Sequence, residues 1–333
     1  MNTFQMPLYP VLIEIFGPGK GQLTANLTLS VVSVRLIYTL AYEVFADWQV
    51  AIFSAIAAAF YPPLIYFAVV GLSETLFITF ILAAFLCWYR AQFSFAAIFA
   101  VLAVLTRPIA ELAAPALVVF FAIVVHRLSI AQTARHLLVY GTIYFALSSP
   151  WWLHNYYSYG HFVRLTPGLG MVLYAGNNPL NKSGGGNVGI DYDASAFQEI
   201  ADPVERDRVL RDAAISYILD HPMRFFELAG LKFIRIWRLW PVHEGYANLS
   251  TILISIASFV PVLLLSALGL FYSRHILRRL SPILLFGLGY IAVQMVLVGT
   301  IRYRLPLEPF LLIFASVAAS HLFRLFAPAP GRS

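Results

Sequence analysis

Long apolar runs alternate with short polar breaks along this chain, and that alternation shapes the reading more than any single motif does. Runs that read as spanning helices occupy 26–45, 49–68, 74–90, 93–106, 110–127, 135–152, 247–273, 280–299 and 306–326. A hydrocarbon layer about 30 Å thick needs about 20 mostly apolar residues per helical crossing, so these runs predict an all-α polytopic membrane protein with about nine transmembrane helices. The run at 93–106 is the shortest. Ahead of the first run, Pro7 to Phe16 form an apolar piece too short to cross, ended by Gly17-Pro18-Gly19.

One polar stretch is long, from 155 to 224. Asn177-Asn178-Pro179 and Gly184-Gly185-Gly186 make its first half loop-like. Its second half opens with Asp202-Pro203-Val204-Glu205, which places an N-cap, a proline at the first helical position and a glutamate at the third. A helix to about Asp220 follows, with Leu210, Ala214, Tyr217 and Ile218 as its apolar stripe and Arg206, Asp207, Arg208, Arg211 and Asp212 as its wet face. Such a helix normally packs on its neighbours. The next segment, 225–240, mixes Lys232, Arg235 and Arg238 with Phe233, Ile234, Ile236, Trp237 and Trp240, a composition suited to a helix lying along the membrane surface. The chain therefore divides into a juxtamembrane segment (1–25), a first bundle (26–152), a loop region with a capped and an interfacial helix (153–246), a second set of spans (247–326) and a tail (327–333).

Composition agrees with the pattern: 60% of the 333 residues are hydrophobic and 11% charged, against about 25% charged in an ordinary soluble domain. The net charge of +6 comes from arginines at the ends of apolar runs, which act as topology signals and contacts to membrane lipids, and no nucleic-acid motif is present. If the nine runs alternate strictly, Arg90, Arg127, Arg135, Arg274, Arg278, Arg279 and Arg324 share one side, which the positive-inside rule makes cytoplasmic. Counting 225–240 as a tenth crossing would throw Arg274, Arg278 and Arg279 outside. The same parity puts the long loop and the amino terminus outside, and an outside start with no signal peptide suggests a missing preceding span. The single cysteine, Cys87, excludes an intramolecular disulfide and a cysteine-rich metal site.

Candidate chemistry gathers on the outer side. In Thr300-Ile301-Arg302-Tyr303-Arg304-Leu305-Pro306-Leu307-Glu308-Pro309, two guanidiniums around a tyrosine offer paired planar donors and permanent charge, suited to clamping a phosphate or diphosphate. Interfacial anchoring is the plainer role, although cationic anchors favour the cytoplasmic side. Glu308 can pair with Arg304 at i,i+4. Glu74, at the outer end of its run, has two readings: an acid facing a wet cavity or partner, and a charge favoured by the helix dipole. Arg107 and Glu111 are spaced for an ion pair. Arg35 falls near the middle of 26–45, where an intramembrane charge is a functional hypothesis by default. His154 and His243 lie on the outer side as weak candidates for a base or metal ligand. The Asn-X-Ser/Thr triplets at Asn26, Asn181 and Asn248 are short enough to arise by chance. No cofactor is fixed by these residues, and a divalent metal stays open.

A series of short motifs, in order, resembles a known family. Met6-Pro7-Leu8-Tyr9-Pro10, Tyr61-Pro62-Pro63-Leu64-Ile65-Tyr66, Leu72-Ser73-Glu74-Thr75-Leu76-Phe77, Leu105-Thr106-Arg107-Pro108, Ser149-Pro150-Trp151 with Asn155-Tyr156, Gly176-Asn177-Asn178-Pro179, His221-Pro222-Met223-Arg224-Phe225-Phe226, 233–241 and 302–309 are similar to the bacterial membrane glycosyltransferases of the GT-C type. These include protein O-mannosyltransferase-like and aminoarabinose-transferase-like enzymes. The resemblance spans nearly the whole chain and is not specific for a substrate. It implies a multi-pass enzyme of the bacterial inner membrane that moves a sugar from a polyprenyl-phosphate-linked donor to an extracytoplasmic acceptor (a lipid, an envelope glycan or a protein) by inverting displacement.

Carried over by position, Arg302 and Arg304 with Tyr303 would hold the donor phosphate, and Glu74 would be the second acid near the acceptor. Arg107 joins them as a further site candidate, and Asn177 and Asn178 would cover the cavity. The family's principal catalytic carboxylate lies upstream of the part matching Met6 to Pro10, in a first outer loop that this chain lacks. A start set too far downstream, a fragment, or a relative that no longer catalyses would each explain that. A transporter is the competing class, although no internal repeat is evident. A non-catalytic partner that binds polyprenyl phosphate is the third reading.

Overall fold

A computed structural model describes residues 5–193, 195–241 and 248–326. His243, the start of the expected run at 247 and the tail 327–333 lie outside the described residues, as do the first four residues. Among the described residues the fold is all-α, with one isolated bridge between Val188 and Tyr192 and no strand.

The helices are α1 (Leu8–Phe16), α2 (Lys20–Phe45), α3 (Trp48–Ala59), α4 (Pro62–Val70), α5 (Glu74–Tyr89), α6 (Phe93–Thr106) and α7 (Ala110–Phe120), which runs on through a π-helical turn, Phe121–Val125. They continue as α8 (Ile130–Tyr159), α9 (Leu169–Gly176), α10 (Pro203–Asp220), α11 (Pro222–Ile236), α12 (Leu249–Tyr272), α13 (Leu277–Val296) and α14 (Glu308–Phe326). Three helical stretches, Lys20–Phe45, Leu249–Val296 and Ile301–Phe326, are long and apolar enough to cross a membrane. The protein thus has the character of a helical membrane protein. Expected run 49–68 is broken: α3 and α4 meet at a 49° bend and together could make a fourth crossing. The break is local chemistry, because Pro62 and Pro63 can open a helix but cannot continue one, and Tyr61 before them is held extended.

The core is built around α5, which is buried on nearly every face. It packs on α2 and α6, while α14 packs on α3 and α12. Phe85 of α5 meets Trp88, Phe121, Phe286 and Phe310 at ring distances of 5.0–5.8 Å, tying α5 to the π turn, α13 and α14. A helix apolar all round belongs in such an interior.

The capped helix forms as its sequence predicts. The Asp202 carboxylate accepts from the Val204 amide at 2.9 Å, and α10 closes at Asp220. Its buried stripe, Leu210 and Ala214, faces α9. The interfacial segment departs from expectation. α11 spans Pro222–Ile236 rather than 225–240, and Lys232 is fully buried instead of wet. Its ammonium position is taken by neighbours: Nζ donates to Asn177 Oδ1 at 2.9 Å and to the Val296 carbonyl at 3.1 Å.

Candidate functional site

Three segments bring polar groups together at the start of α5. Glu74 is its first residue, a position where a carboxylate is favoured by the helix dipole. Arg107 follows the last residue of α6 and precedes Pro108. A residue before proline is pushed out of the helical region, and Arg107 is indeed extended (φ −146°, ψ 122°), which ends α6 and turns the side chain back toward α5. Arg302 lies on a 3-10 helix, Ile301–Leu307, that leads into α14.

Both guanidiniums close on one acid. Arg107 donates to Glu74 Oε1 at 2.7 Å, and Arg302 donates to the same oxygen through Nε and to Oε2 at 3.1 Å. The Glu74 side chain is wholly buried, Arg107 is 14% exposed and Arg302 is 42% exposed. One negative and two positive charges leave a surplus of one positive charge, on the member most open to solvent. Tyr303 faces Arg107 with its ring 5.5 Å away, and Phe77 holds the other side at 5.9 Å.

Arg304 has a different position from the one expected. On a 3-10 helix each residue turns about 120°, so residues two apart diverge. Arg302 points to Glu74, whereas Arg304 points inward and is 2% exposed. It pairs with Glu308 at 2.7 Å, as the i,i+4 spacing predicts, donates to the carbonyls of Arg238 (2.9 Å) and Ile236 (3.4 Å), and lies 3.4 Å from the centre of the Phe259 ring. The expected two-arginine clamp of Arg302 and Arg304 is therefore not formed, and Arg107 stands beside Arg302 in place of Arg304. The expected Arg107–Glu111 pair is also corrected. Glu111 accepts from Arg164 at 2.9 Å and from the Tyr144 hydroxyl, since Arg107 is already held by Glu74.

Asn177 and Asn178 are fully buried and act as loop staples. Asn177 Nδ2 donates to the carbonyls of Leu173 (2.9 Å) and Val296 (2.8 Å), and Asn178 Nδ2 to those of Tyr174 (2.8 Å) and Asp191 (3.0 Å). Asn181, one of the three triplet asparagines, does the same for Ala175 and Gly185. The glycines let the loop close over them. Gly184 has φ +73°, and a Cβ on Gly176 would fall 1.7 Å from the Leu297 carbonyl oxygen. His154 stacks on Trp151 at 5.1 Å. Among the described residues no three His, Cys, Asp or Glu side chains are grouped to hold a metal ion.

Sequence reasoning missed Lys232, whose burial lowers its pKa from the ordinary lysine value to about 7. The signal was present in the regular spacing of α11, which puts Lys232 in line with the apolar Leu228, Ala229 and Ile236. No family model matches the chain, and no curated protein or solved structure matches it.

Proposed function

We propose that this chain is a membrane glycosyltransferase of the GT-C type, which takes a sugar from a polyprenyl-phosphate-linked donor and passes it to an extracytoplasmic acceptor. The observation that supports this reading best is the Glu74–Arg107–Arg302 cluster, with its surplus positive charge on the partly exposed Arg302. Two oriented guanidiniums suit a phosphate monoester or diester, because each presents paired donors to paired oxygens. Glu74 then holds both arginines in place. Nine crossings are part of the proposal. The helices α5 and α6 are short, about 24 and 21 Å, but α5 is enclosed by other helices and need not match the lipid.

In the proposed reaction the acceptor hydroxyl oxygen attacks the anomeric carbon while the bond from that carbon to the phosphate oxygen breaks. The charge left on the phosphate is received by Arg107 and Arg302. The acceptor proton goes to a base that is not assigned among these residues. Glu74 already accepts from two guanidiniums, and that specific engagement favours a second reading, in which the chain binds polyprenyl phosphate without transferring sugar.

Both readings share the anion site, and binding and transfer can be measured separately. Full-length chain in proteoliposomes, titrated with polyprenyl monophosphate, should lose about tenfold or more in affinity on Arg302→Ala, on the order of one charge-assisted contact. Unchanged affinity sinks both. Sugar transfer from a polyprenyl-phosphate sugar by the unaltered chain decides for the enzyme, and its absence with binding intact decides for the partner.

A further inference from the structure

The guanidinium of Arg35 is not used by the site above. α2 packs against α3, α4 and α5 and leaves one face open. Thr28, Val31, Val32, Arg35 and Tyr42 are all exposed, and their spacing places them on one face of the helix. Val31, Val34, Arg35, Tyr38 and Ala55 line an open cleft between α2 and α3. Arg35 lies about 15 Å along the helix from Phe45 and about 22 Å from Lys20, near the centre of a stretch long and apolar enough to cross a membrane.

No hydrogen bond or ion pair joins the Arg35 side chain to another described residue. The nearest carboxylates along the chain are engaged elsewhere: Glu43 pairs with Arg90 and Arg279, and Asp47 with Arg324. Neither α3 nor α4 contains an acid. A charge at that depth is rare and costly unless a partner meets it, and pairing within the membrane is its usual answer. A second copy inserted in the same orientation would set Arg35 against Arg35 across a two-fold axis, which like charge opposes.

We propose that the open face of α2 docks a transmembrane helix of another polypeptide that carries an aspartate or glutamate at mid-depth, with Arg35 as its pairing cation. Ala55 is the small residue in the cleft, where a helix can approach closely, and Val31, Val34 and Tyr38 give it apolar walls. The occupant is defined by its carboxylate, since apolar lipid would leave the guanidinium unpaired.

The test uses the full chain with Val31→Cys in a Cys87→Ser background, in phosphatidylcholine vesicles. The probe is a synthetic Leu/Ala transmembrane helix of about 20 residues with one cysteine and a central Glu or Leu, and the readout is disulfide cross-linking. The Glu probe should cross-link at least about fivefold more than the Leu probe, a preference in the range of interhelical polar contacts. Arg35→Leu should abolish the preference and Arg35→Lys should keep most of it. Equal cross-linking of the two probes overturns the proposal, as expected of a guanidinium satisfied by lipid headgroups. A preference that survives Arg35→Leu overturns it as well. If Arg35→Leu does not fold, the two probes on the unaltered Arg35 background decide alone.

Discussion

The two ends of α5 carry the same chemistry in different solvents. At its first residue, Glu74 is wholly buried between Arg107 and Arg302. Beyond its last turn, Arg90 meets Glu43 at 3.0 Å with side chains 43% and 26% exposed, and Arg279 reaches the same acid at 3.6 Å. Water screens the second cluster and offers each member another partner. In the first, Glu74 and Arg107 have no such exchange and together hold Arg302, which is as open to water as Arg90 (42% against 43%). A single surplus charge can stay poised at that end only because burial fixes its neighbours. The exposure of the acid, Glu74 at 0% against Glu43 at 26%, rather than residue type, separates a site from a set of surface pairs.

Substitutions should sharpen this contrast, and the largest effect belongs to Arg304. Arg304→Ala leaves the buried Glu308 carboxylate uncompensated and frees two carbonyls, and a loss of about 3–5 kcal/mol is expected, read as unfolding in detergent micelles. Arg304→Lys should recover only part, since a lysine cannot serve the acid and both carbonyls with a rigid fork. A loss below about 1 kcal/mol for the alanine variant would erase the distinction between the buried and exposed pairs.

Lys232 supplies a middle-sized effect with a sign fixed by its pKa. Its folded value of about 7 is below that of the unfolded chain, so between these values the unfolded chain binds the extra proton. Stability should therefore rise with pH from about 7 to about 10, by at most about 1.4 kcal/mol per unit, and flatten below 7. Lys232→Met should remove that slope, and an unchanged slope in the variant would assign it to other groups. The smallest effect is expected at the far end of α5. Arg90→Ala should change stability by no more than about 1 kcal/mol and by less at high salt. A multi-kcal/mol loss there would show that the two ends are alike after all.

Much of the fold could be read from local chemistry. The Asp202-Pro203 start of α10 and the Arg304–Glu308 spacing depend on neighbours within one or two turns and appear where expected, and the apolar runs appear as helices apart from 49–68, which breaks at Pro62-Pro63. The site was legible in part. Glu74, Arg107 and Arg302 were each singled out, but their meeting depends on how α5, α6 and the 3-10 helix pack, which no local pattern states. The divergence of Arg302 from Arg304 was hidden for another reason. It follows from a 3-10 turn of about 120° per residue, whereas the sequence alone reads as two cations flanking a tyrosine. Lys232 was placed in water because lysine usually is. Its burial depends on Asn177 and Val296, distant in sequence and adjacent in space.

The length of α8 has its own consequence. At 30 residues it is about 45 Å long, well beyond a hydrocarbon layer of about 30 Å. On the proposed topology the surplus must become lean or protrusion, and the final turns carry Asn155, whose side chain grips the carbonyls of Val163 and Leu165, each at 2.9 Å, at the start of the long loop. Bilayer thickness would then act as a lever: a thinner membrane tilts or uncovers α8 further and shifts the footing of that loop. The host lipid, not only the chain, would set how high the loop stands above the membrane.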